Sequence, residues 1–199
     1  MLKMDCVTLV TRQSIFRDAS FDFEVGRVYG IVAVNGSGKT SLFRAIAGLL
    51  PLQSGSFQKA SSLSLFYYES VDWLDGSLTG RDYLEYICHI WSPQTDIQQT
   101  IVTWQMAEYI DLPIRKYSLG MKQRLLIAMY FISQANILLM DEMTNGLDES
   151  NRQFFFQQLQ SLELSNRIIL LTSHYKEDLM EVCDCLLEIR DGQLLEVVR

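Results

Sequence analysis

The chain has 199 residues, 48% hydrophobic and 21% charged, with a formal charge of −7 and an isoelectric point near 4.8. That length suits one large domain or two small ones with a real buried core. With no Lys/Arg cluster, its acidic surface repels phosphate backbones and excludes nucleic acid as an expected partner. The N-terminus lacks a basic-then-apolar leader, and no apolar run approaches the roughly 18 residues that span a bilayer. Any membrane role would therefore come through a partner. Cys6, Cys88, Cys183 and Cys185 have no zinc-like pairing with His89 and His174, and read as reduced thiols of a cytosolic protein.

From the N-terminus, VTLV (7–10) and SFDFEV (20–25) alternate like half-buried strands. RVYGIVAV (27–34) is continuously apolar, as a strand buried on both faces requires. It runs into NGSGKTSLFRAIAGLL, a loop opening a helix that Pro51 stops. SGSFQ (54–58) and SLSLFYY (62–68) read as strands. Residues 79–117 read as helices, with apolar positions at Tyr83, Ile87 and Ile90, then Ile101, Trp104, Met106 and Ile110. A further helix follows Ser118. The tail alternates strand ILLMDE (137–142), helix 150–162, strand RIILLTS (167–173), helix 174–183 and two short strands around Asp191-Gly192. This order predicts an α/β fold: a mainly parallel sheet, an N-terminal antiparallel β portion and an inserted helical subdomain. The expected division of the single domain 1–199 is a core of 1–75 and 134–199 around a helical part at about 76–133.

Two segments carry chemistry. In VNGSGKTS, consecutive backbone N–H groups at a helix start converge on phosphates, and Gly36 and Gly38 leave no Cβ in the way. Lys39 would reach the β- and γ-phosphates, and the Thr40 hydroxyl would coordinate Mg²⁺. The usual pattern begins with Gly where this chain has Ala33; a methyl there is tolerable if φ stays negative. In ILLMDE, a buried strand delivers Asp141 towards that Mg²⁺, with Glu142 placed to orient and deprotonate the attacking water. His174 ends the next strand.

Together these residues resemble the ATP-binding cassette (ABC) ATPases, the nucleotide-binding subunits of ABC transporters, over nearly the whole chain. VNGSGKTS matches Walker A, ILLMDE Walker B, NGLD (145–148) the D-loop and His174 the switch histidine. YSLGMKQRL (117–125) resembles the family signature LSGGQ, with Leu119 and Met121 in place of the usual Gly and Gln. The resemblance implies nucleotide contacts from Asn35, Gly36, Ser37, Gly38, Lys39, Thr40 and Ser41. It adds Ser118 and Gly120, which in the family face the nucleotide of a second cassette, and Asp148 of the D-loop. Catalysis falls to Glu142, His174 and Lys39, and Mg²⁺ to Thr40 and Asp141. Glu69 stands where the family's Q-loop Gln belongs, and reads either as a Mg²⁺ ligand or as a loop acid. The adenine-stacking aromatic is missing from VTLVTRQS: Phe16 fits the core better, and Arg12 offers a guanidinium plane.

The implied function is an ATPase that dimerises around ATP and Mg²⁺, as a homodimer or with a different cassette. It would drive a separate transmembrane permease, in the export direction, from the inner face of the cell membrane. A regulatory cassette that binds ATP without turning it over is the alternative. Soluble cassettes of DNA repair or translation carry coiled-coil insertions or tandem cassettes, which 199 residues cannot hold. Phe66, Tyr67, Tyr68, Trp73, Tyr83, Tyr86 and Trp91 form either a groove for a permease helix or the insert's own core. Tyr67, Tyr68 and Trp73 are expected to be the more exposed.

Overall fold

Strands buried on both faces and strands that alternate need different surroundings, and they sort into different sheets. The computed structural model describes residues 1–32, 36–91, 94–173 and 176–197. In chain order it holds β1 (Leu2–Val10), β2 (Ser14–Phe23), β3 (Arg27–Val32), α1 (Lys39–Ile46), β4 (Ser54–Lys59) and β5 (Leu65–Phe66). Next come α2 (Gly80–Trp91), α3 (Ile97–Thr103), α4 (Leu119–Ser133), β6 (Ile137–Met140) and α5 (Glu149–Gln160). The chain continues through β7 (Ile168–Thr172), α6 (Lys176–Val182), β8 (Cys185–Arg190) and β9 (Gln193–Val197).

Two compact units result, one of residues 1–67, 136–142 and 160–199, the other of residues 68–135 and 143–159. In the first, alternating β1 is the centre of an antiparallel sheet ordered β2-β1-β4. The continuously apolar strands form a second sheet, β5-β6-β7-β3-β8-β9, parallel except for β9. Every residue of β6 and β7 is buried, which is what helices on both faces of a parallel sheet demand. The fold is the α/β architecture anticipated from the sequence. One core joins Met4, Leu9, Phe16 and Phe23 of the antiparallel sheet to Phe43 of α1 and to Leu139 and Leu170 of the parallel sheet. Phe16 is fully buried in it. The four cysteines are thiols rather than halves of disulfides; Cys6 is exposed, and Cys88, Cys183 and Cys185 are buried.

The strand anticipated over 62–68 is shorter, because side chains take its flanking backbone groups. Asn136 Oδ1 accepts from the Ser64 N–H at 3.0 Å, and the Tyr130 hydroxyl accepts from the Tyr68 N–H at 3.0 Å. Only Leu65 and Phe66 pair with β6.

In the second unit, α4 packs against α2 and α3, and its run Leu125–Tyr130 is buried on every side, a helix that is hydrophobic all round. Trp104 lies edge-on to Phe131 and Phe154, with centroids 5.0 and 5.3 Å away. The Tyr117 hydroxyl accepts from the Gly80 N–H and donates to the Ile110 carbonyl, and burial pushes this phenol up to about 12. Ile90, anticipated on the apolar face of α2, is 53% exposed; Leu84, Ile87 and Cys88 form that face instead.

Candidate functional site

The loop after β3 enters α1 through Gly38, whose φ of +106° is closed to residues with a side chain. A Cβ there would also lie 2.5 Å from Ile15 Cγ2. Lys39 opens the helix and is 7% exposed, so its cation needs anionic company. No acidic residue occupies the first turn of α1, which leaves the positive end of the helix dipole to an outside anion.

Beside this helix start β6 ends in Asp141, itself buried. Thr40 Oγ1 donates to Asp141 Oδ2 at 2.6 Å, and Thr172 Oγ1 donates to Asp141 Oδ1 at 2.7 Å. The Thr172 hydroxyl in turn accepts from the Glu142 N–H at 2.8 Å. Glu142 is held in the left-handed region, with φ +51°, a conformation that costs a non-glycine residue about 1–3 kcal/mol and that surrounding contacts must fix. A cavity of about 420 Å³ opens here, lined by Gly36, Gly38, Lys39, Thr40 and Ser41, by Glu142, and by Thr11 and Ile15. Gln13 Nε2 steadies the loop by donating to the Gly36 carbonyl at 2.8 Å.

These residues fit a nucleoside triphosphate with a hard divalent cation. A buried lysine and a helix start face the space a phosphate chain needs. The Thr40 and Asp141 oxygens converge as Mg²⁺ ligands do when most of the remaining sites go to phosphate and water. Ser37 Oγ is buried beside the cradle without a hydrogen-bond partner. Asn35, Ala33 and His174 lie outside the described residues. Thr172 was not anticipated: in the sequence it is one more β-branched residue closing an apolar strand. Arg12 is exposed and does not line the cavity.

Ser118, Gly120, Asp148 and Glu69 belong to the helical unit. Ser118 caps α4: its hydroxyl accepts from the Met121 N–H at 3.2 Å, and its own N–H reaches Met121 Sδ at 3.4 Å. Met121 thus fills the place that Glu or Gln takes in a capping box. Leu119 packs on Gly146, where a Cβ would come within 2.7 Å of its side chain. Asp148 caps α5, accepting from the Asn151 N–H at 2.8 Å. Two further residues of α4, Gln123 and Arg124, tie it to this segment. Gln123 Nε2 donates to the Met143 carbonyl at 2.8 Å, and Arg124 donates to Asn151 Oδ1 at 2.8 Å. Glu69 is half-buried, next to the Tyr68 backbone that Tyr130 holds through both its N–H and its carbonyl.

Of the aromatics expected to be exposed, only Trp73 is, at 49%. Tyr67 is half-buried edge-on to Phe43, and Tyr68 rests between Trp73 and Tyr83. Tyr86 is the more exposed member of the set, at 63%.

Residues 16–145 match the model of a family described as ABC transporter. The chain is 33% identical to an uncharacterized ABC transporter ATP-binding protein of Bacillus subtilis strain 168, YybJ, over 93% of this chain and 90% of that protein. It is 29% identical to the capsule polysaccharide export ATP-binding protein CtrD of Neisseria meningitidis serogroup B, over 94% of this chain and 88% of that one. A solved structure described as the ATP binding subunit of an ABC transporter matches with a TM-score of 0.82 at 16% identity, a likeness of fold, covering 100% of this chain and 90% of that one.

Proposed function

The chain belongs to the ABC transporter family as an ATP-binding subunit, and from that premise we propose that it hydrolyses ATP with Mg²⁺ to drive a separate membrane permease. The two units together, residues 1–199, act as one cassette. Lys39 and the loop N–H groups hold the β- and γ-phosphates, with Asn35 to Ser41 forming the cradle. Thr40 and Asp141 would hold Mg²⁺, with Glu69 a further candidate ligand, and the ion would supply charge neutralisation for the phosphates. Glu142 orients a water and takes its proton as the water oxygen bonds to the γ-phosphorus and the bond to the ADP oxygen breaks. His174 contacts the γ-phosphate. A second cassette, identical or different, covers that phosphate with Ser118 and the N–H groups near Gly120, and its Asp148 lies at the shared contact. Hydrolysis removes the group that both copies hold, so the pair opens.

The observation that carries this reading is the linked set Thr40–Asp141–Thr172–Glu142 beside buried Lys39 in one cavity. Among the described residues no helix is long and apolar enough to cross a membrane. The permease is proposed to be another polypeptide, with this subunit at the inner face of the cell membrane. Relatives named for export favour that direction. Exposed Trp73, Tyr86 and Ile90 form the face offered to the permease.

Glu142→Gln tests turnover. The variant should trap ATP and run as a dimer on a sizing column, while the wild type hydrolyses and remains monomeric. A variant that stays monomeric in saturating ATP, beside an idle wild type, would support the regulatory alternative instead.

A further inference from the structure

The helix start at Ser118 is held by a thioether. The Ser118 N–H reaches Met121 Sδ at 3.4 Å while the Ser118 hydroxyl accepts from the Met121 N–H at 3.2 Å, so sulfur closes the capping box of α4. Sulfur brings a reactivity that the Glu or Gln of an ordinary capping box lacks. Of the eight methionines, Met4, Met106, Met129, Met140 and Met143 are 0% exposed. Met1 and Met180 are exposed, and Met121 is partly so. Met1 precedes β1 and Met180 lies on α6, which leaves Met121 as the solvent-reachable sulfur beside Ser118. Hydrogen peroxide transfers one oxygen to a sulfur lone pair: its O–O bond breaks, the thioether is oxidised to the sulfoxide, and the peroxide leaves as water. The Ser118 N–H then meets an oxygen standing between it and the sulfur, and the side chain has to turn out of the cap. That oxygen also carries partial negative charge, at a helix start whose free N–H groups suit a phosphate.

We propose that Met121 is a redox modification site: oxidation to the sulfoxide by hydrogen peroxide weakens the hold of Ser118 and the N–H groups near Gly120 on the nucleotide of a second copy, and reduction of the sulfoxide restores it. The inference rests on the paired-cassette reading above. Its test treats Glu142→Gln, with and without Met121→Gln, with hydrogen peroxide. Peptide mass mapping locates the sulfoxides, and sedimentation in ATP and Mg²⁺ measures the dimer before and after. Each protein is compared with its own untreated form, and exposed Cys6 and Met180 are common to both. Glu142→Gln should gain one oxygen at Met121, and its dimer should weaken about tenfold, the effect of about one lost hydrogen bond in each copy. Methionine sulfoxide reductase should reverse both changes. ATP affinity of the monomer should stay within about twofold, because the Lys39 cavity is lined by the first unit. The dimer of the Met121→Gln protein should survive peroxide. A Glu142→Gln dimer that carries the sulfoxide and is no weaker overturns the inference, as does a Met121 left unoxidised while Met180 is oxidised. Equal weakening in the Met121→Gln protein overturns it too. All three leave the paired cassettes standing. An untreated Glu142→Gln that never dimerises brings down the pairing and this inference with it. Should Met121→Gln fail to fold, reversal by the reductase decides.

Discussion

Asp141 is a buried carboxylate with a hydroxyl on each oxygen, and that arrangement sets the geometry of the residues around it. Thr172 matters most here, because one hydroxyl serves both Asp141 and the backbone of Glu142. Thr172→Val keeps the shape and removes one hydrogen bond from the Glu142 N–H and one from an Asp141 carboxylate oxygen, a loss of about 1–3 kcal/mol. We expect a lower melting temperature and turnover reduced at least about tenfold, with ATP affinity changed by less than about threefold. Thermal denaturation and steady-state kinetics of the variant check this; unchanged turnover would show that Thr172 is only a strand residue. Lys39, Thr40, Asp141 and Glu142 were legible because a strand end and a helix start fix where their side chains emerge. Thr172 was not, since its role comes from the register that sets β7 beside β6, a property of no single segment.

At the scale of elements, the two helix starts of the helical unit show how local chemistry carries a variant sequence. Met121 completes the cap of α4 through sulfur, and Leu119 is accommodated because residue 146 is Gly. At α2, Thr79 and Asp82 cap one another: the Thr79 N–H and hydroxyl donate to Asp82 Oδ2, and the Asp82 N–H donates to Thr79 Oγ1. The Thr79 hydroxyl, then its backbone N–H, holds the Asp82 carboxyl below the ordinary range. A lowered folded-state value adds stability above the unfolded value, near about pH 4, and that stability is lost as pH falls through the folded value. Thr79→Ala should cost about 1 kcal/mol at pH 7 through the lost helix cap, and part of the gap in melting temperature from the wild type should close as pH falls through the lowered folded-state value of Asp82. A gap constant from pH 7 to pH 2.5 would refute the cap. The buried strands were readable from their apolar runs. The shortness of β5 was not, because Asn136 and Tyr130, distant in sequence, take the backbone groups beside it.

The whole molecule, read as half of an ATP-closed pair, has to bind a permease on one surface and a second cassette on another. Trp73 and Tyr86 are exposed aromatics of the helical unit. Replacing both by Ala should abolish co-purification of the permease from detergent-solubilised membranes while ATP affinity of the isolated subunit stays within about twofold. An undiminished yield of permease would place its docking site elsewhere. Pairing of the cassettes is tested by sedimentation of Glu142→Gln with and without Ser118→Glu, in saturating ATP and Mg²⁺. Glu142→Gln is expected to sediment as a dimer. The double variant is expected to sediment as a monomer while binding ATP within about threefold of the single variant, because the added carboxylate repels the γ-phosphate held by the opposite copy. A double variant that dimerises as strongly as Glu142→Gln would contradict this pairing.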